Sequence, residues 1–179
     1  MKVLIDANVL FPTVLREIVL GVASRGGFTP LWSARILEEW ARAADRLGPG
    51  AEVQARGEVA LLRAAWPGAE MRPRDGDMAR LWLPDPADVH VLAAAIAGSV
   101  DAILTMNARD FPRHLLAEWD IERVDPDALL MRLWQEDADL VAPAVVATHA
   151  EACRLSGEDL DLRGLLKRAR LPRLAKALS

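Results

Sequence analysis

Short apolar runs alternate along the chain with longer stretches in which apolar residues recur at the spacing of a helix. The runs are rich in branched residues and too short for helices, so they predict buried strands. The predicted strands are residues 2–6, 28–32, 101–105 and 121–124. The predicted helices are residues 12–24, 34–47, 52–66, 86–97, 112–118 and 125–134. Strands separated by helices indicate a parallel sheet that is covered on both faces.

Two further segments complete the predicted organisation. Residues 68–84 predict irregular structure, with a short extended piece at most. Residues 137–179 predict helix throughout, with breaks at Pro143, Gly157 and Pro172, since proline and glycine commonly interrupt or end helices.

Polar side chains follow two of the predicted strands at the point where each strand ends. Asp6 closes the first strand, and Asn107 and Asp110 lie just past the strand at 101–105. Ligands of parallel sheets bind at the carboxyl ends of the strands, so these three side chains are expected to converge there. Each of them also suits a turn or a helix cap, which is the simpler interpretation of any one taken alone.

Asp88 lies in the first turn of the predicted helix 86–97, which is apolar nearly all round. Apolar residues follow it one and two turns later, so its carboxylate is expected to face packed structure rather than water. A buried acid requires a partner. Asp85 precedes the same helix and is expected to act mainly as its cap, with a supporting role at the site.

Glu38 and Glu39 are adjacent in the predicted helix 34–47, and the 3.6-residue repeat distinguishes them. Glu39 borders the apolar stripe, whereas Glu38 lies on the side that faces water. Glu39 is therefore the better candidate for a group that reaches inward. An ordinary salt bridge would also suit a glutamate at this boundary.

Four carboxylates sharing one crevice, from Asp6, Glu39, Asp88 and Asp110, would repel one another by about 1–4 kcal/mol per close pair. Such a site requires a positive partner. The chain has no cluster of His and Cys residues at metal-ligand spacing, and its three histidines are scattered. A set of carboxylate and amide oxygens suits Mg²⁺ or Mn²⁺ much better than zinc.

Composition narrows the class of protein. With 179 residues, of which 52% are apolar and 27% charged, the chain is expected to form a single domain with a real core. Its one cysteine, Cys153, excludes an intramolecular disulfide. The apolar stretches are too short or too interrupted to span a bilayer, and the early Asp6 is unlike a secretory signal, so a cytoplasmic location is expected.

The net charge of −4 is unevenly distributed along the chain. Residues 163–179 carry six basic and no acidic side chains, which leaves a net charge of −10 for residues 1–162. A terminal block of one sign commonly contacts nucleic acid or an acidic partner. A solvated helix face is an equally good interpretation of this tail.

The ordered set of motifs resembles the PIN-domain family, which includes the VapC-like ribonuclease toxins. The matching pieces are residues 4–10 (LIDANVL), 33–40 (SARILEEW), 85–88 (DPAD) and 101–112 (DAILTMNARDFP). No single piece is specific to this family. The resemblance depends on finding the whole set in this order on the expected elements. The resemblance implies a three-layer αβα nuclease domain with a central parallel sheet over residues 1–136. Residues 137–179 would form a helical C-terminal extension, packed on that domain or on a partner.

The resemblance also implies a metal-dependent endonuclease that acts on RNA. Asp6, Glu39 and Asp88 stand in the places of the family's first three acids and would hold one or two Mg²⁺ or Mn²⁺ ions. Asp110 would be a further catalytic acid. The ion would activate water for in-line hydrolysis of a phosphodiester, so no side-chain nucleophile is needed.

Neighbouring residues would support this site. Asn8 would buttress the turn after the first strand. Many PIN proteins have an aspartate two residues after the threonine that corresponds to Thr105, and this chain has Asn107 there, whose amide oxygen can still coordinate Mg²⁺. Arg109, Arg113 and the basic tail would attract the backbone of single-stranded or looped RNA.

Membership among the VapC-like toxins would further imply biological partners. The protein would be the toxin of a type II toxin-antitoxin pair, with a small antitoxin protein as its partner, and a homodimer is expected.

Two other functions stay open. The first is a catalytically weak or inactive PIN-like module that binds RNA or protein, which the asparagine at 107 favours. The second is a phosphatase similar to the haloacid dehalogenases, with Asp6 as nucleophile. That family has an aspartate at the position of Asn8 and a lysine after the threonine, whereas no lysine occurs here between Thr105 and Lys167.

Overall fold

Parallel strands form one central sheet in the computed structural model, which describes residues 1–74 and 76–178. The strands are β1 (Lys2–Ile5), β2 (Thr29–Ser33), β3 (Glu70–Met71), β4 (Ala102–Leu104) and β5 (Glu122–Val124). They lie side by side in the order β3-β2-β1-β4-β5. In the ladder, Val3 pairs with Pro30 on one side and with Ala102 on the other. This order brings the carboxyl ends of β1 and β4 next to each other.

Helices account for most of the rest of the described chain. The α-helices are α1 (Ala7–Leu10), α2 (Thr13–Ser24), α3 (Ala34–Ala43), α4 (Ala51–Ala65), α5 (Val89–Gly98), α6 (Arg113–Ala117), α7 (Pro126–Glu136), α8 (Ala138–Ser156), α9 (Leu162–Arg168) and α10 (Pro172–Ala177). Short 3₁₀ helices occur at Ala44–Leu47, Met78–Arg80 and Pro86–Asp88. None of the helices in the described ranges has the length and apolar character needed to cross a membrane.

The chain divides into two compact units. The first comprises residues 1–11 and 29–123, and the second comprises residues 12–28 together with the chain from residue 124 onward. The domain boundary predicted after residue 136 stays a prediction.

In the first unit, β1 lies in the middle of the sheet and is buried on both faces. Val3, Leu4 and Ile5 are each 0% exposed, although successive residues of a strand point to opposite faces. A sheet covered on both faces is the arrangement of the three-layer αβα class that the sequence predicts. α5, which is alanine-rich and largely buried, packs on β1 and β2, and α3 packs on β2 and α1.

The end of α5 comes close to the sheet at Gly98. A Cβ atom at this position would lie 3.1 Å from Met71 Cγ and 3.2 Å from Leu31 Cδ1. These distances are tighter than ordinary van der Waals contact, so a larger residue would push the helix away from β2 and β3.

In the second unit, α8 packs on α2 and α7, and α10 packs on α7 and α9. α2 and α8 approach each other closely at Gly21, which has no side chain. A Cβ at this position would lie only 3.0 Å from the Cβ of Ala144. The buried carboxylate of Asp127 in α7 accepts hydrogen bonds from the backbone N–H groups of Arg173 and Leu174, at 3.0 and 3.1 Å. This contact joins α7 to the first turn of α10.

The predicted break at Pro143 is wrong, because α8 continues through this residue. A proline inside a helix removes one backbone hydrogen bond. The neighbouring side chains of Val141, Ala144 and Val145 are buried, and their packing keeps the helix intact. The break predicted at Gly157 is confirmed, since this glycine ends α8 with a φ of 71°.

Two local features differ from the sequence-based expectation. The single turn α1 was not predicted, and it forms because the side chain of Asp6 caps it. The helix predicted over 34–47 ends at Ala43 and continues as a 3₁₀ helix to Leu47.

Candidate metal centre

Asp6 follows β1 and caps α1, which puts its carboxylate at the carboxyl edge of the sheet. Its Oδ1 accepts a hydrogen bond from the backbone N–H of Ala7 at 2.7 Å. Its Oδ2 accepts from the hydroxyl of Thr105 at 2.7 Å and from the amide of Asn8 at 2.5 Å. Asn8 Oδ1 in turn accepts from the backbone N–H of Met106 at 3.0 Å. This network joins the turns after β1 and β4 and fixes the orientation of the buried Asp6.

Three more aspartates form a tight cluster. Asp85, Asp88 and Asp110 each offer a carboxylate oxygen, and these oxygens all lie within 4.8 Å of one another. Asp85 caps the 3₁₀ turn before α5 by accepting from the backbone N–H of Ala87 at 2.8 Å, and Asp88 ends the same turn. Asp85 therefore belongs to the cluster itself, which goes beyond the capping role expected from the sequence.

Asn107 lies against this cluster. Its Nδ2 donates to Asp110 Oδ2 at 2.7 Å and to Asp88 Oδ2 at 3.3 Å. Its Oδ1 accepts from the backbone N–H of Asp110 at 3.3 Å, and its own backbone N–H donates to Thr105 Oγ1 at 3.0 Å. The asparagine thus supplies donors to two carboxylates and joins them to the network around Asp6.

Glu39 meets two cationic or potentially cationic side chains. Its Oε1 lies 2.8 Å from His90 Nε2 and 3.2 Å from Arg35 Nε. Partial burial acts to raise the pKa of Glu39, but the neighbouring His90 and Arg35 outweigh this effect and hold that pKa below its ordinary value. Glu39 is therefore ionised at neutral pH.

The side chain of Glu38 points away from that of Glu39. It forms ion pairs with Arg42 at 2.7 Å and with Arg56 at 2.8 Å, on the exposed side of α3. Hydrogen bonds from Arg56 and Arg42 lower the pKa of Glu38 to about 2. Glu38 and Glu39 thus lie on different faces of the helix, as the 3.6-residue repeat predicts.

Burial and mutual repulsion disfavour the charged forms of the acids at the edge of the sheet. Burial raises the pKa of Asp6 despite its hydrogen bonds, and repulsion by Glu39 adds to the increase. Burial, followed by repulsion from Asp6 and from the other two clustered aspartates, raises the pKa of Asp88 to about 6. A cation placed among these groups would remove the repulsion.

A family profile described as a PIN domain matches residues 2–109. The chain belongs to the PIN-domain family. The matched residues extend from β1 to the turn after β4, and so include Asp6, Glu39 and Asp88. Neither a comparison with curated proteins nor one with solved structures gives a significant match. PIN domains are generally metal-dependent nucleases, so the family favours a nuclease over the phosphatase alternative.

The residues of this PIN domain fit a hard divalent cation. The clustered donors of Asp85, Asp88 and Asp110 are all carboxylate oxygens, which Mg²⁺ and Mn²⁺ prefer. Burial and, after it, repulsion from Asp6, Asp85 and Asp110 raise the pKa of Asp88, and a cation would offset that repulsion. The donor set and its electrostatics therefore agree with the divalent metals that the family uses.

The structure brings the predicted acids of the PIN domain into one region, but the acids that lie closest together are not the three predicted metal ligands. Asp6 interacts electrostatically with both Asp88 and Glu39. Within the described ranges, however, the tight cluster consists of Asp85, Asp88 and Asp110 rather than the predicted trio of metal ligands. The assignment of metal ligands stays a prediction.

Arg109 and Arg113 lie beside this region in the chain. Arg109 is exposed in the turn after β4, and Arg113 is exposed at the start of α6. Arg123 holds this turn by donating to the carbonyl oxygens of Ala108 and Phe111 at 2.6 and 3.0 Å. The RNA-binding role of Arg109 and Arg113 stays a prediction.

Sequence reasoning missed two residues of the site, His90 and Arg35. His90 is the one polar side chain in the apolar helix α5, which is a signal that could have singled it out. Arg35 precedes Glu39 by four residues, a spacing that brings two side chains together on a helix. Neither pattern predicts that both residues contact the carboxylate of Glu39.

Proposed function

We propose that this PIN domain is a divalent-metal-dependent endoribonuclease that hydrolyses single-stranded or looped RNA. The observation that carries the proposal is the convergence of the Asp85, Asp88 and Asp110 carboxylates, whose oxygens lie within 4.8 Å of one another. The buried Asp6 and membership of a family of metal-dependent nucleases support it.

Asp85, Asp88 and Asp110 would hold one Mg²⁺ or Mn²⁺ ion, with Asp6 and Glu39 as further ligands to the same ion or to a second one. When bound, a divalent ion activates a water molecule for attack on the phosphodiester and offsets the charge of the phosphate oxygens. The carboxylates would then hold their positions with less mutual repulsion.

The remaining residues of the site orient the acids and the substrate. Thr105 and Asn8 hold Asp6 by the hydrogen bonds to its Oδ2. The exposed guanidinium groups of Arg109 and Arg113 would attract the RNA backbone near the acids. A crevice at a sheet edge admits a single strand or loop more readily than a duplex.

Within this proposal the protein is the toxin of a type II toxin-antitoxin pair, acts in the cytoplasm and forms a homodimer. A small antitoxin protein would be its inhibitor. Exposed apolar side chains of this PIN domain offer a surface for such a partner: Leu47, Val53 and Leu61 are 70%, 75% and 72% exposed. Where exposed apolar residues form a contiguous patch, they commonly mark protein interaction sites.

One observation favours a second candidate function, a PIN-like module that binds RNA or protein without cleaving it. The amide nitrogen of Asn107 donates to both Asp88 and Asp110, and so occupies carboxylate oxygens that a cation would use. An aspartate at this position would instead add a ligand.

Incubation with total RNA in Mg²⁺, Mn²⁺ or EDTA, followed by mapping of the cut ends, tests the proposal. We expect cleavage with either metal and none in EDTA. Asp88→Asn should reduce the cleavage rate by at least about 100-fold, since even loss of an outer partner of a metal site costs 10–100-fold.

The adjacent glutamates of α3 provide a matched pair of variants. Glu39→Gln should reduce cleavage, whereas Glu38→Gln removes only the two ion pairs on the exposed side of α3 and should leave the rate unchanged. Cleavage that persists in EDTA would contradict the proposal. RNA binding without cleavage in any divalent metal would favour the binding module.

A further inference from the structure

His90 is buried in α5 without satisfying its ring nitrogens. Its side chain is 3% exposed, and neither nitrogen makes a well-aligned hydrogen bond within the part of the chain that the structure describes. Nε2 nevertheless lies 2.8 Å from Glu39 Oε1. Burying an unpaired polar group is costly, and the other side chains of α5 are apolar, so packing alone would favour an aliphatic residue here.

Arg35 contacts the same oxygen of Glu39. Its Nε donates to Glu39 Oε1 at 3.2 Å, and its Nη2 donates to the carbonyl oxygen of Ala87 at 3.3 Å. Ala87 lies between Asp85 and Asp88 in the turn before α5. Arg35 therefore connects Glu39 of α3 to the turn that carries two of the clustered aspartates.

These contacts involve only one of the two oxygens of the Glu39 carboxylate. Oε1 has both of these nitrogen neighbours, while Oε2 accepts no hydrogen bond from the described residues. A carboxylate that is held by one oxygen keeps the other available as a metal ligand, and outer partners of this kind fix the orientation of ligands in metal sites.

We propose that His90 and Arg35 are positioning residues that hold Glu39 through Oε1, so that Oε2 is available to a divalent cation at the candidate centre. This inference rests on the proposed function, because it requires Glu39 to be a metal ligand. His90 and Arg35 act through Glu39 and contact neither the cation nor the RNA.

Titration of the full chain with Mn²⁺, followed by electron paramagnetic resonance of the free ion, measures this role without any cleavage. We expect His90→Leu and Arg35→Gln each to weaken Mn²⁺ binding by about 10-fold or more, the range found for outer partners of metal ligands. His90→Gln should recover much of the affinity, since its side-chain amide N–H can donate a hydrogen bond to Glu39.

Two control variants separate positioning from stability. Val91→Ala removes buried volume from α5 without removing a hydrogen bond or ion pair of Glu39, and Arg42→Gln removes an exposed ion pair to Glu38 on α3. Both should keep the wild-type affinity for Mn²⁺ even where the midpoint of thermal unfolding falls. In a Glu39→Gln background, His90→Leu should have no further effect on Mn²⁺ binding.

The outcomes distinguish this inference from the proposed function. Unchanged Mn²⁺ affinity in the His90 and Arg35 variants of a protein that cleaves RNA overturns the positioning role alone. An effect of His90→Leu that persists without Glu39 also overturns it. A wild-type chain that binds no Mn²⁺ overturns both proposals. If His90→Leu does not fold, Arg35→Gln decides, because Arg35 is exposed and its loss removes no core contact.

Discussion

Asp88 is an aspartate in a partly buried site surrounded by Asp6, Asp85 and Asp110. Burial and the repulsion of these neighbours raise its pKa to about 6, from an ordinary value of 3.8. The folded protein therefore binds this proton more tightly than the unfolded chain does. Through this group, stability is highest below about pH 4 and is lost as the pH rises towards about 6. At neutral pH the charged Asp88 destabilises the fold unless a cation compensates it.

We expect Asp88→Asn to raise the thermal unfolding midpoint in EDTA at about pH 7, with a free energy of unfolding higher by about 1 kcal/mol after allowance for solvent screening. The difference should vanish at about pH 2–3, below both pKa values, where the wild-type carboxyl is protonated in the folded and in the unfolded state. Added Mn²⁺ should stabilise the wild type more than the variant. An equal gain at both pH values would show that the charge is not the cause.

Thr105 is a second residue on which the candidate site depends. Its buried hydroxyl donates to Asp6 and accepts from Asn8 Nδ2 and from the backbone N–H of Asn107, both at 3.0 Å. Thr105→Val keeps the shape of the side chain but removes this hydrogen-bond partner from all three groups. We expect a loss of about 1–3 kcal/mol in the free energy of unfolding, measured by chemical denaturation.

The conservative variant Thr105→Ser provides the control, since it retains the hydroxyl and should keep most of the stability. If the valine and serine variants were equally stable, the hydroxyl network could not be what holds Asp6.

Among the elements, α10 depends on a neighbouring helix for its stability. Its six residues are too few for a stable isolated helix. Asp127 of α7 supplies acceptors for two backbone N–H groups in its first turn, those of Arg173 and Leu174. A negative charge at this end of a helix is also favourable because of the helix dipole.

Asp127→Ala should therefore destabilise the second unit. We expect a loss of about 2–3 kcal/mol, because the variant leaves two backbone N–H groups, one of them buried, without their charged acceptor. Hydrogen exchange should show faster exchange at the amides of Arg173 and Leu174. Asp159→Ala removes an exposed acid and serves as the control. Unchanged protection of α10 would contradict this account.

For the molecule as a whole, the uneven charge is still present on the folded surface. Residues 1–162 carry a net charge of −10, while the basic side chains of 163–179 are exposed. Arg173 differs from the others because it lies 3.4 Å from Asp127 and 3.8 Å from Asp125. Most of the basic residues of α9 and α10 are thus directed to solvent, where they can attract phosphate groups.

Replacing Arg163, Lys167 and Arg168 together by glutamine should weaken RNA binding and reduce its salt dependence. If each side chain contacts one phosphate, the slope of log K against log salt should fall by about 2 for single-stranded RNA. Filter binding over a range of salt concentrations, in a non-cleaving Asp88→Asn background, measures this. Arg154→Gln removes a positive charge that is already paired with Glu151 and is the control. An unchanged slope would identify the tail as a solvated helix face.

The local sequence by itself determined where several strands and helices form and on which end or face of them the acids lie. The short apolar run that ends at Asp6 forms β1, and the 3.6-residue repeat puts Glu38 and Glu39 on different faces of α3. Gly157 ends α8 because its backbone adopts a positive φ. These features follow from periodicity, capping and backbone conformation, which act between residues close in the sequence.

The tertiary structure alone decided which oxygen and nitrogen atoms meet. Thr105 donates to Asp6 across 99 positions of sequence, and Asp85 joins Asp88 and Asp110 in one cluster. His90 reaches Glu39 from another helix. Such contacts depend on the packing of elements to within an ångström, whereas a sequence pattern specifies only the face or the end of an element on which a residue lies.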